Sequence, residues 1–99
     1  MSDLYVTATI VTTPDKADAL RDILLPVVDQ FRAEDGCLAY TLLEDQEEPG
    51  RFFTYECWRD RAALDAHMSS KAMKAIEPTL GDYLTQALDQ HFLSALKIT

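Results

Sequence analysis

Residues 55–67, YECWRDRAALDAH, put a carboxylate, an indole and an imidazole close together in the chain. Glu56 sits in a run of β-forming residues, one position before Cys57 and two before Trp58, the only tryptophan. His67, one of two histidines, follows in a helix-like run. An imidazole ordinarily titrates near neutral pH and suits general-base work. A carboxylate among aromatic residues either finds a donor or holds a proton, so Glu56 is a second candidate for proton chemistry. The structural alternative pairs Glu56 with Arg51, Arg59, Arg61 or backbone donors, and leaves His67 a packed histidine bonded to backbone. Trp58 either fills the core or walls a flat aromatic pocket and offers its N–H. Tyr40, Tyr55 and Tyr83 are candidate hydrogen-bond donors to a substrate oxygen. Met68 and Met73, at helical spacing, read as core. His91 opens the last apolar run and reads as a strand-end or dimer-contact residue.

The elements that must position these groups follow from periodicity. Residues 4–12, LYVTATIVT, are β-branched and aromatic and predict a first strand, with Leu4, Val6, Ala8 and Ile10 on one face. Thr13-Pro14 predicts a helix start, with a hydroxyl cap and proline at the first helical position. Apolar residues at Ala17, Leu20, Leu24, Val27, Val28 and Phe31 form one helical stripe, which Pro26 should disturb and Gly36 should stop. Residues 37–44 and 51–58 predict two strands joined by the turn DQEEPG, hence a hairpin. Asp60 can cap a helix over 61–68, and Ser69 or Ser70 can restart it, with Ala72, Met73, Ile76 and Leu80 buried. Pro78 and Gly81 should disturb its end, 82–89 should continue as irregular helix, and 91–98 should form strand four.

The order β-α-β-β-α-β is the ferredoxin-like split unit, an α+β fold in which a four-stranded antiparallel sheet carries both helices on one face. Most strands are apolar on both faces, whereas a sheet open to water on one side should alternate. The helix-free face is therefore expected to be covered by a second copy, giving a homodimer packed sheet to sheet.

Composition narrows the function classes. Ninety-nine residues form one domain, 1–99, with a small core. The net charge of −8 argues against nucleic acid and anionic membrane surfaces as partners. There is no apolar run of membrane-spanning length and no basic-then-apolar leader in MSDLYV, so a cytoplasmic protein is expected. Cys37 and Cys57 form no CxxC pair and read as reduced thiols, which the hairpin could set opposite each other. There is no GxGxxG, P-loop or HExxH motif. No tightly held flavin, nicotinamide or metal is therefore expected.

The stretch AEDGCLAYTLLEDQEEPGRFFTYECWRDRAALDAHMSS resembles the antibiotic-biosynthesis monooxygenase domain family. Glu34, Gly36, Cys37 and Tyr40 match an E-x-G-C-x-x-Y pattern. Pro49, Gly50, Arg51 and Phe52 match the hairpin. Tyr55, Glu56, Trp58, Ala63, Leu64, Ala66, His67 and Ser70 match the Y-E-x-W and A-L-x-A-H-x-x-S runs. The resemblance implies a dimeric α+β barrel of two ferredoxin-like subunits, with the cavity lined by residues 55–67. It implies a cofactor-independent monooxygenase acting with O2 on a small aromatic hydroquinone, phenol or anthrone, with His67 and Glu56 catalytic. Trp58, Tyr40, Tyr55 and Tyr83 would then bind substrate. Other members of the fold degrade haem, isomerise a phosphorylated sugar or have no known substrate, so a non-oxidative isomerase and a non-catalytic ligand-binding module are the alternatives. Two departures stand out. Ala72 replaces a second histidine after Ser70, and the first strand offers Thr7 and Thr9 where haem-degrading relatives carry asparagine.

Overall fold

The computed structural model describes residues 3–98. Strand β1 spans Leu4–Val11, helix α1 Ala17–Arg32, β2 Cys37–Glu44, β3 Arg51–Trp58, α2 Arg61–Met68, α3 Lys71–Tyr83 and β4 Asp89–Leu93. The strands lie in the order β2-β3-β1-β4, every neighbouring pair antiparallel. This is the ferredoxin-like arrangement expected from the pattern.

Strand alternation sorts the side chains. Val6, Ala8 and Ile10 of β1 are buried, as are Phe52, Thr54, Glu56 and Trp58 of β3, and all face the helices. From the helices, Leu20, Leu24 and Phe31 of α1, Leu64 of α2, and Ile76 and Leu80 of α3 close the core. Two cap hydrogen bonds fix where the later helices start. Ala63 N donates to Asp60 Oδ1 at 2.9 Å and Met73 N donates to Ser70 Oγ at 3.2 Å. Ser70, not Ser69, is therefore the restart.

Several boundaries differ from expectation. Thr12 leaves β1; its N–H donates to Gly50 O and its hydroxyl to Tyr83 O, which ties the strand end to the hairpin and to α3. Thr13 caps nothing with its side chain, and Pro14–Lys16 form a 3₁₀ turn before α1. Neither Pro26 nor Pro78 breaks its helix, and α3 passes Gly81 to end at Tyr83. There is no irregular helix over 84–88. Leu84 turns extended, and Thr85 N–H donates to Val11 O. Strand β4 thus starts at Asp89 and stops at Leu93, which pairs with Tyr5. Residues 94–98 leave the sheet with Leu96 fully exposed.

A register shift between Cys37 and Ala39 puts Cys37 opposite Trp58 and Ala39 opposite Cys57. The two cysteines therefore project from different faces of the sheet, and both are free thiols.

Gly36 decides how α2 sits. Its φ is 84°, and an added Cβ would lie 2.5 Å from Ala63 Cβ. Only glycine allows this backbone and this contact together. The contact draws α2 onto the α1–β2 turn that carries Glu34. Gly36→Ala should lower unfolding free energy by roughly 1–3 kcal/mol. Urea denaturation of both forms measures this; an unchanged midpoint would refute the assigned packing.

Candidate active site around His67

The site begins on β3, where the residues facing the helices are Phe52, Thr54, Glu56 and Trp58. Glu56 is only 3% exposed, yet it is fully engaged. Thr54 Oγ1 donates to Glu56 Oε2 at 2.7 Å and Trp58 Nε1 donates to Glu56 Oε1 at 3.0 Å. Tyr40, itself buried, stands opposite Glu56 across the ladder. Burial, then the charge of Glu56, pushes the Tyr40 phenol well above its ordinary value. The arginines considered as partners are occupied elsewhere: Arg51 with Asp45, Arg59 with Asp35 and Asp60, and Arg61 with Asp65.

His67 arrives from α2. Its ring stacks on Trp58 with centroids 4.5 Å apart and planes 30° apart, and meets Phe31 edge-on at 4.5 Å. Tyr40 lies 6.0 Å away. Nδ1 is 2.8 Å from Glu34 Oε1. An ionised carboxylate only accepts hydrogen bonds, so Nδ1 carries a proton, and the neutral form of the ring has its lone pair at Nε2. Nε2 has no hydrogen-bond partner among the described residues and is not sealed from solvent. The carboxylate that holds the imidazole is therefore Glu34, at the end of α1, and not Glu56.

His67 borders two cavities and is the only residue common to both. The outer one, about 320 Å³, opens to solvent beside Glu34, Asp35, Arg59 and Ser70. The inner one, about 40 Å³, lies between sheet and helices. Tyr40, Thr54, Glu56 and Ala8 make its floor, Met73, Ile76 and Leu80 its roof, and Gln90 its far wall. The inner cavity exists because Ala8 and Thr54, paired at the middle of the sheet, are small. It holds about three waters at most, so an aromatic ring needs the α3 roof to shift.

Residues 3–78 match the family model described as "Antibiotic biosynthesis monooxygenase". The chain belongs to the antibiotic biosynthesis monooxygenase family. It is 34% identical over 95 residues to Rv0793 of Mycobacterium tuberculosis, named as a monooxygenase, covering 96% of this chain and 93% of that one. The solved Rv0793 structure superposes with a TM-score of 0.89 at 33% identity over 98% of both chains. PA3566 of Pseudomonas aeruginosa gives a TM-score of 0.90 at 32% identity, covering 98% of this chain and 97% of its own. An uncharacterised Synechocystis protein, sll1783, is 34% identical over 67 residues, 68% of this chain; the match spans about half of that longer protein, 46% of its length.

Of the residues the sequence nominates in this family member, the fold brings together His67, Glu56, Trp58 and Tyr40. Trp58 serves as a platform under His67, with its N–H committed to Glu56 and unable to reach a ligand at the same time. Tyr55 does not join them. It projects from the helix-free face, 44% exposed, beside Tyr5. Tyr83 also lies elsewhere, at the end of α3 under Lys16. His91 is exposed and pairs with Asp89. Glu34, Thr54 and Gln90 were not nominated. Glu34 stands in the E-x-G-C run, and Thr54 shares the strand face of Glu56, so both left a trace in the sequence. Among the described residues no three His, Cys, Asp or Glu side chains cluster as a metal site requires, and no helix is long and apolar enough to cross a membrane.

Because the folded chain resists ionising Tyr40, the stability tied to that phenol is intact below about pH 10 and falls as pH rises, by up to about 1.4 kcal/mol per pH unit. Tyr40→Phe should not show that part of the alkaline decline. Chemical denaturation of both proteins between pH 9 and pH 11 measures it; parallel profiles would contradict the burial of the Tyr40–Glu56 pair.

Proposed function

We propose that the chain is a cofactor-independent monooxygenase that oxidises a small aromatic hydroquinone, phenol or anthrone with O2, working as one cytoplasmic domain across residues 1–99. The observation that carries this reading is the His67–Glu34 pair, with Nδ1 held at 2.8 Å and Nε2 left without a partner. A base so held is what an oxygenase of electron-rich aromatics needs. Ground-state O2 is a triplet and reacts slowly with neutral closed-shell molecules, whereas a phenolate or enolate passes it one electron directly. His67 Nε2 takes the O–H or C–H proton, and the electron pair stays on the substrate. Glu34 stabilises the imidazolium formed. O2 then couples to the substrate carbon as a peroxide. The proton returns from His67, the O–O bond breaks, one oxygen stays on carbon and the other leaves as water. For an anthrone, the ring methylene and one O2 become a ring carbonyl and one water, with both methylene hydrogens ending in the water. The apolar roof of Met73, Ile76 and Leu80 keeps water from the peroxide. Tyr40 is the phenol nearest the developing oxyanion, and Glu56 fixes Trp58 in place.

Purified protein stripped of flavin and metal should consume oxygen faster than the spontaneous rate with a hydroquinone or anthrone. His67→Ala, checked for folding by circular dichroism, should lose roughly 10²–10⁴-fold in kcat. Unchanged turnover in His67→Ala would sink the base assignment. Anaerobic product formation would point to an isomerase instead.

The helix-free face is the proposed homodimer surface. It exposes Leu43, Tyr55 and Leu93 around a depression of about 460 Å³ beside Tyr5 and Thr7. Residues 94–98, with Leu96 and Ile98 exposed, border that depression. Such an apolar patch is costly in water and self-complementary about a two-fold axis. Light scattering should give a dimer for the native chain and a monomer for the Tyr55→Asp, Leu93→Asp double variant. A native monomer would refute it.

A further inference from the structure

The polar groups of the inner cavity stand at its two ends. At one end are Tyr40, Glu56 and His67. At the other is Gln90, which pairs with Ala8 on β1, itself paired with Thr54 on β3. Gln90 is thus two strands from β3, about 10 Å at the usual strand spacing. Between the ends the lining is apolar, with Ala8 below and Ile76 above. Gln90 is half-buried and lines the cavity, and its side chain takes part in none of the side-chain hydrogen bonds among the described residues.

We propose that Gln90 is the specificity-determining residue of the site, and that it anchors the far oxygen of a para-dihydroxylated aromatic ring whose near hydroxyl faces His67. The inference rests on the reading of the inner cavity as the substrate site. The spacing suits a six-membered ring with a hydrogen bond at each end. The amide chemistry suits it as well. A carboxamide both accepts and donates. Its C=O takes the hydroxyl proton of the reduced ring, and its NH2 serves the carbonyl oxygen of an oxidised product. A carboxylate, hydroxyl or aliphatic side chain at this position would not bond both states equally well. A site built to bond an oxygen discriminates against the analogue that lacks it, because its polar group is then left unpaired. Gln90 touches neither the reacting hydroxyl nor His67, so its effect falls on selection and not on proton transfer.

The test is anaerobic titration of the native chain with hydroquinone and with 4-methylphenol, which replaces the far hydroxyl with a methyl group. Quenching of Trp58, the only tryptophan and the platform under His67, reports occupancy. The native protein should bind hydroquinone about tenfold more tightly than 4-methylphenol. Gln90→Leu should bind the two within about twofold of each other. Gln90→Glu, which keeps the acceptor, should retain the preference for hydroquinone. A preference that is absent in the native protein, or that survives in Gln90→Leu, overturns the proposal. Oxygen uptake is measured on air-equilibrated portions of the same proteins with the same two compounds. Uptake with no preference refutes the anchor alone, and a Gln90-dependent preference without uptake refutes the oxygenase reading alone.

Discussion

A buried carboxylate organises this protein. Withdrawing the Glu56 side chain from water costs several kcal/mol if it is left unpaired. The Thr54 hydroxyl and the Trp58 indole each return a charge-assisted hydrogen bond, about 1.5–3 kcal/mol apiece. That exchange has a geometric consequence. Trp58 cannot rotate without abandoning Glu56, so its ring is a fixed platform, and His67 lies on it at 4.5 Å. Glu34 then holds the imidazole from the other side. The orientation of the imidazole is set by two carboxylates, one acting through an indole and the other directly. Neither touches a ligand in this scheme. Both decide which nitrogen a ligand meets.

The fold supplies the rest of the geometry with few residues. The middle of the sheet is hollow because Ala8 and Thr54 stand where larger side chains would fill the space under α3. The Gly36–Ala63 contact brings α2 close enough for a residue at the end of α1 to reach one near the end of α2. Thr12, by bonding Gly50 and Tyr83, ties the strand end to both the hairpin and α3. A short chain with a small core thus keeps one cavity and one ordered dyad by using backbone contacts that side chains would block.

Much of this was legible in the sequence. Strand and helix periods predict the element order, and β-alternation puts Glu56 and Trp58 on the helix side with Phe52. The same alternation excludes Tyr55 from that side, since it is adjacent to Glu56 in the strand. Its nomination rested on residue type alone. Tyr83 failed for a different reason. Its position depends on α3 continuing past Pro78 and Gly81, which local propensity argues against and packing on α1 overrides. The end of β4 at Leu93 left no mark in residues 91–98, whose apolar pattern runs on past it. Glu34 was visible as a motif member, yet its role needed a contact across 33 positions that only the Gly36 turn creates. Gln90 carried no signal, because a polar residue on an edge strand is usually solvated.

The central claim is that His67 offers an unprotonated Nε2 to the cavity while Nδ1–H is bound to Glu34. Nitrogen-15 NMR of the imidazole, through two- and three-bond proton couplings, reads the tautomer directly in the native protein at slightly alkaline pH. A pyrrole-type shift is expected at Nδ1 and a pyridine-type shift at Nε2, with a mixed-tautomer signal in Glu34→Gln. A native His67 protonated at Nε2 would contradict it, and with it the base on which the proposed chemistry depends.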